Sequence, residues 1–164
     1  MIRVAIVTIS DSVVAGTRQD QSGAILRERA EALGWQVTAE EIVPDEVDRI
    51  AAVLKKLADS SKVSLILTTG GTGVSPRDVT PEAARTVIDR EIPGLGELMR
   101  AEGRKATLFA ALSRSMAGTR GATLIVNLPG SPKGAAESLD AISKLIPHIV
   151  NLMEGRTGHG DVPN

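Results

Sequence analysis

The chain has 164 residues, of which 42% are apolar and 1% aromatic, and its formal net charge is −1. This length suits one domain, while the lack of a basic field and of aromatic rings argues against a nucleic-acid surface or an electrostatic membrane contact. The chain contains no cysteine, which excludes disulfides, a thiolate nucleophile and a cysteine-bound metal.

The first half of the chain predicts alternating strands and helices. Val4 to Ile9 is almost wholly apolar, as expected of a strand that is covered on both faces. Gln36 to Val43 predicts a weaker strand at an edge of the sheet. Apolar residues at helical spacing predict two amphipathic helices, one through Leu26, Ala30 and Leu33 and one through Val47, Ile50, Leu54 and Leu57.

The second half continues this alternation. Val63 to Thr68 and Thr123 to Leu128 predict two more buried strands. Between them a helix is expected to start with Thr80 as its cap and Pro81 as its first residue. One long last helix, kinked at Pro147, is predicted by an apolar face of Leu139, Ile142, Ile146, Ile149 and Met153. The order of elements predicts an α/β fold with a mostly parallel sheet.

These elements predict one domain over residues 1–154 and a glycine-rich tail over residues 155–164 that we expect to be mobile. The first residues lack the pattern of a signal peptide, and no apolar run reaches the ~18 residues of a membrane span. We therefore expect a cytoplasmic protein without a membrane contact.

Chemistry is expected where the strands end, because open parallel sheets bind ligands beyond the carboxyl ends of their strands. Ser10 and Asp11 follow the first strand, residues 69–82 follow the third, and residues 129–133 follow the last. The glycine loop, Thr69-Gly70-Gly71-Thr72-Gly73, has three glycines in four positions, so its backbone N–H groups are able to form a nest for phosphate oxygens. A purely structural turn is an equally good interpretation of such a loop.

Three aspartates also have two interpretations each. Asp78, just before the predicted helix start at Thr80, is placed either to cap that helix or to hold a hydrated magnesium ion beside substrate phosphates. Asp11 and Asp45 share this ambiguity, since each lies at the end of a strand or the start of a helix. The three carboxylates together would be able to converge on one cation.

The sequence is locally positive between Glu102 and Glu137, with five cations and no acid: Arg104, Lys105, Arg114, Arg120 and Lys133. An anionic substrate would be attracted there, and Ser113 and Ser115 add hydroxyls beside one guanidinium. A solvated basic face is the alternative.

The remaining candidates are weak. We interpret His148 and His159 as non-catalytic and Trp35 as a packing residue. Because the strand ends contain neither cysteine nor histidine, covalent acyl chemistry is disfavoured and phosphate chemistry by positioning is favoured.

Five motifs in one order resemble the molybdopterin adenylyltransferases, which include the bacterial MogA and MoaB types. The motifs are Thr69-Gly70-Gly71-Thr72-Gly73, Pro76-Arg77-Asp78-Val79-Thr80-Pro81-Glu82-Ala83, Pro93-Gly94-Leu95-Gly96, Leu112-Ser113-Arg114-Ser115-Met116-Ala117-Gly118 and Asn127-Leu128-Pro129-Gly130-Ser131-Pro132. The resemblance implies a three-layer α/β/α domain, usually a homotrimer, that transfers AMP from magnesium-ATP to the terminal phosphate of molybdopterin and releases pyrophosphate.

The resemblance also implies roles for matching residues. Asp78 and Asp45 match aspartates of the family's site and would act in catalysis and bind magnesium. Ser10 and Asp11, in the family's Ser-Asp-Ser segment, would bind cofactor beside them. The nucleotide would be held by Gly70, Gly71, Thr72 and Gly73, with Asn127, Pro129 and Gly130 near it. Molybdopterin would be faced by Ser113, Arg114 and Ser115.

Two alternatives stay open at this stage. A MoaB-type protein that binds molybdopterin with little or no adenylyl transfer would use the same Ser113-Arg114-Ser115 segment. A molybdate-insertion enzyme has the same sheet but is longer and carries additional domains, so this interpretation ranks last. The resemblance separately suggests such an enzyme as a partner of this chain.

Overall fold

The computed structural model describes residues 1–156 of the chain. Within that range six strands form one sheet: β1 (Arg3–Ile9), β2 (Gln36–Val43), β3 (Leu65–Thr69), β4 (Arg90–Glu91), β5 (Ala117–Arg120) and β6 (Thr123–Leu128). The same residues form seven α-helices: α1 (Asp11–Val14), α2 (Gln21–Ala32), α3 (Val47–Asp59), α4 (Thr80–Arg85), α5 (Pro93–Gly103), α6 (Pro132–Ile142) and α7 (Ile146–Met153). A 3₁₀ helix spans Leu108–Leu112.

The strand order is β2-β1-β3-β6-β5-β4. Strands β2, β1, β3 and β6 run parallel, and β5 pairs antiparallel with both of its neighbours. The four predicted strands are confirmed, including the position of β2 at an edge. Strands β4 and β5 were not predicted, because β4 has two exposed residues and β5 only four residues, too few for a periodic pattern.

Helices cover both faces of the sheet, which confirms the three-layer α/β/α architecture. Along β1, Val4 and Ile6 face a core shared with α2, α5, α6 and α7. Ala5, Val7 and Ile9 face a second core shared with α3 and α4. Because both faces of the central strands are buried, most of their side chains are apolar and do not alternate with polar ones. Trp35 is buried in the first core, as its interpretation as a packing residue requires.

Two predicted helix features are wrong in detail. The last helix is not one kinked rod: α6 ends at Ile142 and α7 begins at Ile146, with Pro147 in the first turn of α7. Proline lacks the N–H that a helix interior needs but tolerates a first turn, so it starts a new helix here. Thr80 does not cap α4, since Val79 occupies the cap position and Thr80 is the first helical residue.

The described residues end within the predicted tail. Gly155 and Arg156 follow α7, whereas residues 157–164, including His159, lie outside the described range. Within residues 1–156, no helix combines the length and the hydropathy that a membrane crossing requires.

Candidate functional site

A cleft of about 410 Å³ lies at the carboxyl ends of the central strands. Its wall includes Ser10 after β1, Gly70 and Gly71 after β3, and Gly130 and Ser131 after β6. The structure therefore brings together the three strand-end segments that the sequence singled out. We call this space the polar cleft.

The glycines of the loop are required by close packing. Gly70 has a φ of 103°, and a Cβ there would lie 2.1 Å from the carbonyl oxygen of Ile9. Gly71 has a φ of 68°, and a Cβ there would lie 2.2 Å from the hydroxyl oxygen of Thr80. Both positions thus exclude any side chain, because the backbone is left-handed and the neighbouring atoms leave no room.

The carbonyl groups of residues 70–73 all accept hydrogen bonds from outside the loop. Thr80 donates its hydroxyl to the first (2.9 Å) and its backbone N–H to the second (3.0 Å). Arg114 donates its backbone N–H to the third (2.8 Å) and its Nε to the fourth (2.8 Å). The N–H groups of residues 71–74 have no acceptor anywhere in residues 1–156. The loop therefore retains free donors, which suit an anionic ligand.

Asp11 and Asp45 tie the segment after β1 to the segment after β2. The N–H of Asp11 donates to Asp45 Oδ2 and the N–H of Asp45 donates to Asp11 Oδ1, each at 3.0 Å. Arg77 forms a bidentate pair with Asp11, with Nε and NH2 both 3.0 Å from its oxygens. Asp11 is thus occupied by a cation of the protein, whereas Asp45 lines the polar cleft.

The two carboxylates have opposite pKa shifts. The N–H of Asp45 and then the guanidinium of Arg77 lower the pKa of Asp11. Burial raises the pKa of Asp45, and the charges of Asp11 and Asp78 add to this rise against the N–H of Asp11 and the charge of Arg77. Asp45 therefore carries a charge that its surroundings do not fully compensate.

Asp78 closes its own loop rather than capping α4. Oδ2 of Asp78 accepts hydrogen bonds from the N–H (2.9 Å) and from the hydroxyl (2.7 Å) of Ser75. Asp78 lines the polar cleft together with Asp45. The capping interpretation is therefore wrong.

Asp45 and Asp78 suit a magnesium ion better than the predicted set of three acids. One oxygen of each carboxylate accepts no hydrogen bond from residues 1–156. Magnesium needs only one or two carboxylates together with substrate phosphates. Over the described residues no group of three acidic or histidine side chains is arranged to hold a metal, so the three aspartates do not form a complete cage.

A second, more apolar cavity of about 220 Å³ adjoins the polar cleft and shares Ser131 with it. Met99, Phe109 and Pro129 contribute apolar surface, and Ser113 contributes a polar edge. We call it the apolar cavity. Its composition is typical of a site for a flat ring with a few polar anchors.

Several residues predicted to bind ligand lie behind the two spaces. Ser115 is buried and shares a hydrogen bond with the Ser113 hydroxyl at 2.9 Å. Asn127 is fully buried, donates its amide to Thr68 (3.0 Å), and has an Oδ1 without a partner among the described residues. Thr72, Gly73 and Arg114 also lie outside the lining of both spaces. His148, which we interpreted as non-catalytic, is likewise absent from it.

The locally positive stretch of sequence is not an unpaired basic patch. Four of its five cations form ion pairs, namely Lys105 with Glu102, Arg114 with Glu82, Arg120 with Asp59 and Lys133 with Glu137. The acids come from both near and distant parts of the chain, so the run of like charge exists in sequence and not in space.

The predicted site did not include the segment that runs from α1 into the first turn of α2. Arg18, Gln19, Gln21 and Ser22 line the polar cleft together with Asp20. The carboxylate of this aspartate caps α2, accepting from the N–H of Gly23 at 2.9 Å. Their place after the first strand was the available signal, but a single cation among polar residues forms no pattern that indicates a phosphate site.

Comparisons with known proteins identify the family of the chain. A sequence model of the family described as "probable molybdopterin binding domain" matches residues 5–148. The chain is 41% identical over 156 residues to the molybdopterin adenylyltransferase of Helicobacter pylori (strain J99), covering 94% of this chain and 89% of that protein. It is 45% identical over 153 residues to the molybdenum cofactor synthesis protein cinnamon of Drosophila melanogaster, where the match covers 93% of this chain but only 26% of that protein.

Solved structures give the same result. The molybdopterin biosynthesis enzyme MoaB from Thermus thermophilus superposes with a TM-score of 0.89 at 53% identity, covering 94% of this chain and 98% of that one. This degree of similarity extends over nearly all of the described fold.

We predict that Gly70→Ala disrupts the glycine loop. The added Cβ would lie 2.1 Å from a backbone oxygen at a φ of 103°, so we expect a loss of about 2–4 kcal/mol in the free energy of unfolding, combining backbone strain and overpacking. Chemical denaturation measures this loss. Gly94→Ala is the matched control, because a Cβ there meets nothing within 4 Å; equal stability of the two variants would contradict the prediction.

A second prediction concerns Asp45 and pH. Because the folded pKa of Asp45 is raised, the folded state binds more protons than the unfolded state, and stability falls as pH rises from about 3.9 through the raised value. Asp45→Asn removes this cost while keeping an oxygen that is able to accept the N–H of Asp11. We expect the variant to be more stable than the wild type at neutral pH, with a difference that disappears below about pH 3.9.

Denaturation series from acidic to neutral pH test this sign. Asp11→Asn should instead be less stable than the wild type at neutral pH. Because the pKa of Asp11 is lowered in the folded state, its ionised carboxylate stabilises the fold at pH values above the ordinary pKa of aspartate, and this contribution is lost as pH falls. Asp48→Asn, which removes a nearby charge on α3, serves as the control. A gain at neutral pH for Asp48→Asn equal to that of Asp45→Asn would contradict the prediction.

Proposed function

The chain belongs to the family of molybdopterin-binding domains, and we propose that it is a molybdopterin adenylyltransferase of molybdenum cofactor biosynthesis. Its reaction joins the AMP part of ATP to the terminal phosphate of molybdopterin and releases pyrophosphate. The observation that carries this proposal is the pair of adjoining spaces at the strand ends, one polar and one apolar. Two substrates that each combine phosphate with a flat ring need both kinds of surface.

We assign the phosphates to the polar cleft. The free N–H of Gly71 supplies a donor in its wall, and the free N–H groups of residues 72–74 follow along the loop outside the lining. Helices α2 and α6 begin in the same wall at Gln21 and Pro132. Helix N-termini favour anions through their unpaired N–H groups and their dipole. Arg18 adds a positive charge to the same wall. Together these groups offset the repulsion between two polyanionic substrates.

The apolar cavity accepts the ring of one substrate in this proposal. Pro129, implied by resemblance to lie near the adenine, and Ser113, implied to face molybdopterin, line the same cavity. One ring therefore occupies it, with Met99 and Phe109 covering its faces. The shared Ser131 keeps that ring next to the phosphates of the polar cleft.

Asp45 and Asp78 would hold magnesium through their unpaired oxygens. When bound there, the ion would supply positive charge to the phosphates in the reaction and would offset the burial, and then the repulsion from Asp11 and Asp78, that raise the pKa of Asp45. Asp78 also fixes the loop of residues 75–78, so its carboxylate has a defined position before any substrate arrives.

The chain contributes positioning and electrostatics rather than a nucleophile. An oxygen of the molybdopterin phosphate forms a new bond to the α-phosphorus of ATP. The bond from that phosphorus to pyrophosphate lies in line with the attack and breaks, and pyrophosphate leaves as an anion. The attacking phosphate is already ionised, so the step needs no side-chain base. Donors and carboxylates fixed by the loops hold the two reactants in line and stabilise the charge that moves to the leaving group.

The decisive test is an adenylylation assay with Asp78→Asn. We expect magnesium-dependent formation of adenylyl-molybdopterin by the wild type, detected by mass spectrometry, and a loss of turnover of about 100-fold or more in the variant, because a missing charge and a misplaced loop both act on the transition state. Molybdopterin binding should survive. Asp89→Asn is the control, since Asp89 also closes a turn by accepting a backbone N–H, from Gly121 at 2.8 Å, but lies outside both spaces.

The same experiment separates the alternative of a molybdopterin carrier. A MoaB-type binding protein without transfer activity would bind molybdopterin equally well in the wild type and in Asp78→Asn and would have no turnover to lose. Product in the wild type and none in the variant excludes the carrier. No product from the wild type, under conditions where a known relative is active, overturns the proposed activity.

We also propose that the protein is a cytoplasmic homotrimer that hands its product to a molybdate-insertion enzyme. The family resemblance supports the trimer, and the exposed apolar residues Leu108 and Leu112 offer surface for a subunit contact. Light scattering is expected to return about three times the chain mass of 17.2 kDa. The mass of a single chain would contradict this prediction.

A further inference from the structure

The side chain of Arg114 lies against the glycine loop rather than in either space. Its Nε donates to the carbonyl oxygen of Gly73 (2.8 Å) and its NH2 donates to the carbonyl oxygen of Asp78 (2.7 Å). Its NH1 forms an ion pair with Glu82 on α4. One guanidinium thus contacts three separate residues of the segment that carries the proposed catalytic carboxylate.

These contacts fix both ends of one short loop. Gly73 and Asp78 begin and end the segment 73–78, and inside it the N–H of Asp78 donates to the carbonyl of Ser75 at 3.0 Å while the Asp78 carboxylate accepts from the N–H of Ser75. A Cβ on Gly73 would lie 2.7 Å from Asp78 Oδ2, so the two ends are in close contact. The position of the Asp78 carboxylate therefore depends on the contacts that hold the ends together.

Arg114 is itself held in place. Arg100 on α5 donates through NH1 to the carbonyl oxygens of Ser113 (3.3 Å) and Ser115 (2.8 Å), one on each side of it. The backbone N–H of Arg114 also donates to the Thr72 carbonyl at 2.8 Å. Arg100 thus fixes the segment from which the Arg114 side chain reaches the loop.

Resting on the proposed function, we infer that Arg114 is a positioning residue that sets the Asp78 carboxylate and the free N–H groups of residues 71–74 for adenylyl transfer, without contacting substrate. Arginine is required because only a planar fork with five donors reaches two carbonyls and a carboxylate at once. Lysine keeps the charge but not this geometry. Replacing Arg114 with lysine therefore distinguishes a positioning role from a direct electrostatic contact with the substrate.

The test compares Arg114→Lys with Arg120→Lys. Arg120 is a matched control, because it also pairs with a carboxylate, Asp59 (2.8 and 3.0 Å), and donates to one backbone carbonyl, that of Val87 (3.0 Å), but contacts neither space. We expect Arg114→Lys to lower kcat by about 100-fold, the cost of a displaced catalytic group. The KM for molybdopterin should change little. Arg120→Lys should leave both constants as in the wild type.

Hydrogen exchange gives a readout that does not depend on turnover. The amides of Ser75, Asp78 and Thr80 are hydrogen-bonded within this region, so they should lose protection in Arg114→Lys and keep it in Arg120→Lys. If the wild type makes no product but Arg114→Lys still loses this protection, the proposed function fails and the positioning role stands. Unchanged protection, or near-normal kcat in Arg114→Lys, overturns the inference.

Glu82→Gln provides a second variant in case Arg114→Lys does not fold. It leaves the two carbonyl contacts of Arg114 possible but removes the carboxylate charge that orients the guanidinium. In the wild type, the hydrogen bond from Arg114 lowers the pKa of this carboxyl group. We expect a smaller fall in kcat, about tenfold, together with weakened protection at Ser75 and Asp78, because a partly freed loop is partly misplaced. No change in either measurement overturns the inference.

Discussion

The site depends on the direction in which four successive carbonyl groups of the glycine loop point. Buried backbone groups must find partners, and the carbonyls of residues 70–73 find them in Thr80 and Arg114, outside the loop. The N–H groups of residues 71–74 are thereby left without an acceptor in the described chain. Left-handed φ angles at Gly70 and Gly71 make this arrangement possible. A loop that satisfied its own donors would have nothing to offer a phosphate.

The two acidic residues Asp11 and Asp45 differ in how well their charges are compensated. Asp11 is paired with Arg77 and has a lowered pKa, whereas Asp45 is partly buried beside like charges and has a raised one. A fold selected for stability alone would not keep the second arrangement. Perturbed carboxylates next to a nest of free donors are typical of sites that bind a cation together with an anion. This unfavourable charge environment is confined to the site, and the two apolar cores on either side of the sheet stabilise the fold.

Sequence reasoning was most successful where burial dictates residue type. The central strands were predictable because both of their faces are covered, and the position of the cleft was predictable because parallel strands end at one edge. Short β4 and β5 gave no pattern, and Pro147 was compatible with either a kink or a new helix. Asn127 lies in a recognisable motif but is fully buried. Arg114 and Arg120 appeared as one basic region because their partners, Glu82 and Asp59, are distant in sequence.

The role of Arg114 follows from its neighbours rather than from its charge. An arginine in a serine-rich motif near a phosphate site suggests a direct contact with the substrate, yet its donors are already engaged by Gly73, Asp78 and Glu82. For a reaction whose attacking group needs no activation, rate depends on how accurately reactants and charges are aligned. A cation that fixes the loop therefore contributes to every turnover without itself contacting the substrate.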